Sequence, residues 1–265
     1  MYAYIVAIGD ELLTGKTLDY NSHWIAKRLT GLGVQVLRII VIPDDIDSIL
    51  EVIKDAVNKN IDIIITTGGL GPTPGDVTLE AIAKALNREL VLHEDALRMV
   101  RDRYEQLFKL GYVSSPEVTP EREKMAKIPE GGIPFFNPIG VAPGVLIQYA
   151  ENKYVIALPG VPSEMMYLLE QVLSCILRTR KDVFVKTREK LIEIRDESAI
   201  ARILEEVMSE IPQVHIKSYP LGFGERVYMR VIGISKADDP EKAEKLLEKA
   251  FELLEKKLHE RSDNL

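Results

Sequence analysis

The sequence contains only one cysteine, Cys175, among 265 residues. An internal disulfide and a zinc site built from several cysteines are therefore excluded. Cys175 lies in the apolar stretch from Leu173 to Leu177, so we expect it to be buried in a helix that packs on the core. The four histidines are far apart in the sequence and lack the spacing of metal ligands, which indicates structural or surface roles.

Long hydrophobic runs and an excess of positive charge are also missing. No run reaches the ~18 apolar residues of a membrane span, and the short run from Tyr2 to Ile8 lacks the basic leader of a signal peptide. We therefore expect a cytoplasmic protein with no membrane partner. The formal net charge is −7. It argues against DNA as a partner, because a nucleic-acid binder neutralises phosphates with a basic surface. A small anionic ligand held by backbone amides stays open.

Strand-like and helix-like segments alternate over the first two-thirds of the chain. Repeated units of this kind with short connections predict an α/β fold, with a mainly parallel sheet and helices on both faces. The predicted strands are residues 4–8, 34–42, 62–67, 144–149 and 153–158, and the predicted helices are residues 21–32, 47–58, 76–86, 94–110 and 163–177.

The composition changes near residues 178–181, and a second pattern follows. We predict a first domain over residues 1–178 and a small α+β domain over residues 179–265, long enough to fold as a unit. The predicted βαββα elements are a strand at 182–194, a helix at 197–211, strands at 213–219 and 225–234, and a helix at 240–258.

The segment IDIIITTGGLGPTPGD, residues 61–76, is a predicted buried strand that leads into a glycine-rich turn and a helix. Thr66 and Thr67 bring hydroxyl groups to the strand end, and the glycines at 68, 69 and 71 allow positive φ and close approach of a ligand. Asp76 lies where the next helix should begin, as an N-cap or a phosphate-facing residue. Ligands of parallel sheets bind beyond the carboxyl ends of the strands. The segment therefore predicts a site for a phosphate-bearing small molecule, although a tight strand-to-helix connection alone would also need glycines. It is neither a Walker loop nor a Rossmann fingerprint.

Acidic residues follow several strand ends of the predicted sheet. Asp10 and Glu11 follow the first strand, Asp44 and Asp45 follow the second, and Asp76 ends the glycine-rich segment. At ~4 Å, each pair of like charges costs on the order of 1 kcal/mol in water, and a divalent cation removes that cost. The pattern therefore predicts a metal site formed by Asp10, Asp44 and Asp76, unless these acids are helix caps or solvated loop charges.

Two further loops carry candidate binding residues. The sequence NPIGVAPG from Asn137 to Gly144 is suited to a fixed backbone path, and Asn137 is a candidate to read a base or sugar edge; a structural turn explains it equally well. In the sequence LPGVPSE, which begins at residue 158, Pro159, Gly160 and Ser163 are candidates to orient a ligand. Ser163 lacks the G-x-S-x-G elbow, which argues against a serine hydrolase.

Four motifs together resemble one known family. They are GDELLTG at 9–15 with Asp19 and Asn21, TTGGLGPT at 66–73 with Asp76 and Thr78, NPIGVAPG at 137–144, and LPGVPSEM at 158–165. In this order, over residues 5 to about 170, they resemble the N-terminal portion of the CinA (competence/damage-inducible protein) family. That portion has the molybdopterin-binding fold of the MogA, MoaB and MoeA proteins, and the tail resembles the small KH-type domain that follows it.

The resemblance implies a nucleotide-type pyrophosphatase that acts on ADP-ribose with a divalent metal (Mg²⁺, Mn²⁺, Co²⁺ or Ni²⁺) and K⁺. The relatives of the fold imply instead binding or adenylylation of molybdopterin. The sequence departs from the family in two ways. Pro74 and Gly75 precede a single acid, Asp76, where the family often has two adjacent acids. The chain also stops where many members continue into a nicotinamide-mononucleotide deamidase domain, so that activity is expected to be absent.

Three functions stay open on this basis: a metal-dependent pyrophosphatase, a molybdopterin-binding or adenylylating protein of cofactor synthesis, and a non-catalytic nucleotide-binding protein. In the first, Asp10, Glu11 and Asp76 are the candidate catalytic residues. We expect a homodimer by base rate. RNA is disfavoured, because LGFGE at 221–225 is not a basic G-x-x-G loop and the chain is acidic. The candidate ligand-binding residues are Thr67, Gly68, Gly69, Gly71, Thr73, Asn137, Gly144, Pro159, Gly160 and Ser163.

Overall fold

The computed structural model of the protein describes residues 1–177, 184–194, 197–221 and 227–260. The chain divides into two compact units, one of residues 1–29 and 34–179 and the other of residues 30–33 and 180–265. No helix of the described ranges is long and apolar enough to cross a membrane.

The first unit is built on a six-stranded sheet in the order β2-β1-β3-β8-β7-β6. Strands β1, β2, β3 and β8 are parallel, and β7 and β6 are antiparallel additions at one side. A separate two-stranded ladder joins β4 and β5. The strands are β1 (Tyr2–Ile8), β2 (Gln35–Ile42), β3 (Ile63–Thr67), β4 (Leu90–Leu92), β5 (Lys127–Pro129), β6 (Ile133–Phe135), β7 (Gly144–Ala150) and β8 (Lys153–Leu158).

Helices connect these strands. They are α1 (Asp10–Leu13), α2 (Tyr20–Gly31), α3 (Ile46–Asn58), α4 (Thr78–Ala85), α5 (Glu94–Lys109), α6 (Pro120–Lys124) and α7 (Pro162–Leu177). Every residue of β3 is buried, as expected for a strand covered on both faces. The prediction of a mainly parallel sheet flanked by helices is therefore confirmed.

Two local predictions in this unit are wrong. Helix α4 begins at Thr78 and not at Asp76, because Asp76 belongs to a turn described below. Cys175 is exposed and not buried. The buried stripe of α7 runs through Met165, Leu169 and Val172. Cys175 lies beside the edge of this stripe near the helix end, and the apolar composition of the stretch did not show that difference.

The second unit has the predicted βαββα order. Its elements are β9 (Phe184–Ile194), α8 (Glu197–Glu210), β10 (Val214–Pro220), β11 (Val227–Ala237) and α9 (Pro240–Glu260). The strands form an antiparallel sheet in the order β10-β11-β9. Its core joins Val207 of α8, Val231 of β11, and Leu247 and Phe251 of α9. The predicted strand start at 182–183 and loop residues 222–224 lie outside the described residues.

Candidate functional site

The parallel strands of the first unit end at one cavity of about 720 Å³. Strands β1, β3 and β8 are neighbours in the sheet. The segments that follow them therefore meet at one edge. Most of the residues singled out from the sequence line this cavity: Asp10, Glu11, Asp44, Gly68, Gly69, Gly71, Thr73, Asp76, Pro159 and Gly160.

Four candidate binding residues do not line this cavity. Thr67 is 3% exposed, and its Oγ1 accepts a hydrogen bond from Asn21 Nδ2 at 3.3 Å. Gly144 is buried at the start of β7, where a Cβ would lie 3.4 Å from Leu168. Ser163 is exposed in the first turn of α7. The fourth residue, Asn137, is committed to internal hydrogen bonds that are described below.

The glycine-rich turn after β3 has a backbone that only glycine suits. Gly68 has φ +106° and Gly69 has φ +65°. A Cβ at Gly68 would overlap the Ile8 carbonyl oxygen, and a Cβ at Gly69 would overlap Thr78 Oγ1. Thr78 Oγ1 donates to the Gly68 carbonyl at 2.9 Å, and its N–H donates to the Gly69 carbonyl at 3.2 Å. Gly68 and Gly69 are therefore required by the turn itself, which lines the cavity.

Asp76 closes this turn and does not cap α4. Its Oδ2 accepts from the Thr73 N–H at 2.8 Å and from Thr73 Oγ1 at 2.5 Å. The N-cap of α4 is Val77, which makes no side-chain capping bond. Pro74 and Gly75 add a tight turn before the helix, and this turn draws the carboxylate back onto Thr73. Lys124 also donates to the Thr73 carbonyl.

The two acids after β2 have different roles. Asp45 is the N-cap of α3, and its carboxylate accepts from the Ser48 N–H at 2.8 Å, which lowers its pKa. Asp44 lines the cavity, and its Oδ2 accepts from the Asp10 N–H at 3.1 Å. Burial raises the pKa of Asp44, and the charges of Glu11, Asp10 and Asp76 raise it further.

The predicted metal set is not preformed. Among the described residues, no three His, Cys, Asp or Glu side chains come together to hold a metal ion. Asp44 and Asp76 each have a carboxylate oxygen that accepts from a backbone N–H, that of Asp10 and that of Thr73 respectively. Mg²⁺ is commonly bound through one or two carboxylates together with phosphates of the substrate. The arrangement fits a cation shared with a bound phosphate and not one held by the protein alone.

Asn137 is 1% exposed and uses its whole amide within the protein. Its Nδ2 donates to the Ala142 carbonyl at 2.9 Å and to Glu164 Oε2 at 2.6 Å. Its Oδ1 accepts from the N–H groups of Ile139 at 3.1 Å and Gly140 at 2.9 Å. An amide side chain offers two donors and two acceptor positions. The expectation that Asn137 reads a ligand is therefore wrong: it organises the loop and holds Glu164.

Glu164 is a cavity residue that the sequence reasoning missed. It is half-buried; burial raises its pKa, while the Asn137 hydrogen bond and the charge of Arg103 lower it to a smaller extent. A Cβ at Gly140 would overlap its carboxylate, so the glycine makes room for it. Glu164 is the last residue of the LPGVPSE sequence, in which only Pro159, Gly160 and Ser163 were taken as candidates.

The cavity also has an apolar wall that was not foreseen. Tyr104 of α5, Met125 after α6, and Val141 and Ala142 of the loop before β7 contribute to it. The guanidinium of Arg122 lies 3.8 Å above the Tyr104 ring. Tyr104 and Met125 come from segments without a sequence motif, whereas Val141 and Ala142 belong to the NPIGVAPG motif.

A smaller recess of about 90 Å³ lies next to the main cavity and shares Glu11 and Gly160 with it. Asn21 lines the recess and donates from Nδ2 to the Gly160 carbonyl at 2.7 Å. Asp19 supports this region by accepting from the Ser22 N–H at 2.9 Å. The GDELLTG motif with its Asp and Asn thus links α1 and α2 to the loop after β8.

Comparisons with known proteins agree on one family. A family model described as a probable molybdopterin binding domain matches residues 4–179. A relative from Pyrobaculum arsenaticum is 43% identical over 256 residues, which cover 96% of this chain and 93% of that protein. Another from Pyrococcus furiosus is 45% identical over 224 residues, covering 84% of this chain and 87% of that protein.

One solved structure is also similar. The crystal structure of the CinA protein from Thermoplasma acidophilum, described as having unknown function, matches with a TM-score of 0.60 and 39% identity. The match covers 66% of this chain and 99% of that one. The residues of this chain that match the family model include the glycine turn, the acids and the apolar wall. The chain therefore belongs to the CinA-like family that carries the probable molybdopterin-binding domain.

Proposed function

We propose that the cavity binds a phosphorylated pterin of the molybdopterin type. The observation that carries this proposal is the placement of the whole cavity within residues 4–179, the span that matches the probable molybdopterin binding domain. A volume of about 720 Å³ falls in the ordinary range of small-molecule sites.

The cavity lining suits both parts of such a ligand, its phosphate and its ring. The backbone of Gly69 and Gly71, which carry no side chain of their own, lines part of the cavity and suits the close approach of a phosphate. Met125 and Val141 also line the cavity and offer an apolar wall to a flat ring. The ligand would therefore lie across the cavity, with its phosphate at the glycine turn.

Binding can be tested by titrating the protein with neopterin monophosphate in the presence of Mg²⁺ and following quenching of the pterin fluorescence. We expect saturable binding by the wild-type protein. Val141→Trp should abolish it by filling the cavity, while Leu37→Trp, at an exposed position of β2, should not change it. No binding by folded wild-type protein would overturn the proposal, as would equal affinity in the Val141→Trp variant.

A second candidate function is cation-assisted hydrolysis of a pyrophosphate such as ADP-ribose. The observation that favours it is the cluster of carboxylates around Asp44. Burial and three neighbouring carboxylates raise the pKa of Asp44. A divalent cation shared with a phosphate would relieve that repulsion and polarise the phosphoryl group.

This second candidate is tested by release of AMP from ADP-ribose with Mg²⁺, Mn²⁺, Co²⁺ or Ni²⁺, with and without K⁺. Metal-dependent release that is lost in Asp44→Asn, with the fold intact, would support it. Binding of ADP-ribose without AMP release under any of these metals would favour a non-catalytic nucleotide-binding protein.

A further inference from the structure

Glu164 is held in the cavity by a hydrogen bond, and no cation among the described residues forms an ion pair with it. Arg103, the cation that acts on its pKa, donates instead to the carbonyl groups of Gly140 at 2.6 Å and Ile139 at 2.7 Å. The hydrogen bond to its carboxylate in the described structure comes from Asn137 Nδ2, at 2.6 Å to Oε2. Within the described residues, Oε1 has no hydrogen-bond partner.

The half-buried carboxylate of Glu164, with one hydrogen-bond donor from the described residues, can accept further hydrogen bonds. Buried polar groups are costly when they lack partners, so native sites supply donors from the protein, from water or from a ligand. Here the protein supplies one donor, which bonds to Oε2 of Glu164, and the other acceptor positions of this carboxylate remain available. Because Glu164 lines the cavity, a ligand bound there can supply donors to its remaining acceptor positions.

The acid is adjacent to the apolar wall. The amide nitrogen of Asn137 donates both to Glu164 and to the carbonyl of Ala142, which itself lines the cavity. The carboxylate and the wall are thus held by one side chain. A flat ring that packs against Ala142 and Val141 would bring its edge towards Glu164.

We propose that Glu164 recognises the edge of a 2-amino-4-oxo heterocycle by accepting from its ring N–H and its amino group. This inference rests on the proposed binding of a pterin in this cavity and names the group that selects the ring. A carboxylate offers acceptors only. The pterin edge presents two adjacent donors, whereas the adenine edge presents one donor and one acceptor.

The test compares two ligands and three proteins. The ligands are neopterin monophosphate and the corresponding lumazine, in which an oxo group replaces the amino group. The proteins are wild type, Glu164→Gln and the control Glu105→Gln, an exposed position on α5. Dissociation constants are measured by calorimetry at pH 7, with thermal unfolding to confirm the fold.

We expect the wild type and the control to prefer the pterin by roughly 10- to 100-fold, the value of one hydrogen bond to a charged group. In Glu164→Gln the oxygen would stay on the Asn137 donor and the NH₂ would face the ligand. This variant should therefore bind the pterin and the lumazine with equal affinity, or bind the lumazine more tightly. Gly140→Ala, which crowds the carboxylate without changing its charge, should weaken the preference in the same direction.

The outcomes are distinguishable. If the wild type binds neither ligand, the proposed function fails and this inference fails with it. If the wild type binds the pterin but Glu164→Gln retains the full preference, the assignment of Glu164 is overturned while pterin binding stands.

Discussion

The adjacent acids Asp44 and Asp45 should respond in opposite ways to the loss of their charge. Asp44 is held near Glu11, Asp10 and Asp76, which raise its pKa together with burial. In Asp44→Asn the amide oxygen still accepts from the Asp10 N–H, but the repulsion is gone. We therefore expect the variant to be more stable than the wild type at pH 7.

The magnitude follows from the partial exposure of these groups. Interactions between partly exposed charges contribute roughly 0.2–1 kcal/mol each. Solvent and salt screen the three repulsive interactions that act on Asp44. We therefore expect the free energy of unfolding of Asp44→Asn to be higher than that of the wild type by about 1 kcal/mol. In a unit of this size such a gain corresponds to about 2–4 °C in the melting temperature.

The pH dependence of stability provides a second test of whether Asp44→Asn is stabilising. A raised pKa in the folded state means that the charged form of Asp44 destabilises the fold above that pKa, and protonation relieves this as the pH falls through it. The gain in Asp44→Asn should thus be largest at neutral pH and shrink in acid. Asp45→Asn should destabilise, because the Ser48 hydrogen bonds lower the pKa of Asp45.

The assay is urea unfolding of the wild type and both variants at pH 7 and at pH 4. A variant Asp44→Asn that is no more stable than the wild type at pH 7 would refute the repulsion inferred for the cavity.

Three further predictions concern the glycine turn, the Asn137 loop and the end of α7. Gly69→Ala should lower the free energy of unfolding by roughly 1–3 kcal/mol, because the positive φ of Gly69 and the Thr78 side chain exclude a Cβ. The control Gly31→Ala should cause no such loss, because the space around Gly31 is open. Thermal unfolding of both variants checks this difference. Asn137→Asp should cost roughly 1–3 kcal/mol at pH 7 by placing a carboxylate against Glu164, with partial recovery in acid measured by the same unfolding assay. Cys175 should react with a thiol reagent in the native protein at the rate of an exposed thiol; protection until unfolding would contradict its assigned position.

The architecture could be predicted from the sequence because its signals are local and periodic. The buried run of β3 and the glycines after it specify a parallel strand and its turn within one segment. Since carboxyl ends of parallel strands share an edge, the positions of Asp10, Asp44 and Pro159 directly after predicted strands were enough to place them at one cavity.

The roles of individual side chains at the site could not be predicted in the same way. Asp76 is drawn onto Thr73 by one local turn, and Asn137 fills its hydrogen bonds within its own loop and with Glu164. Those outcomes depend on distances of a few ångströms, which spacing in the sequence does not report. Tyr104 and Met125 reach the cavity from segments without a motif.

The measurement that tests the central claim most directly is a crystal structure of the protein with neopterin monophosphate. The predicted binding mode has the phosphate at the turn formed by Gly69 and Gly71, the ring against Val141, and the amino edge of the ring at Glu164. A ligand bound elsewhere on the protein, or bound in the cavity with its ring at the glycine turn, would contradict it.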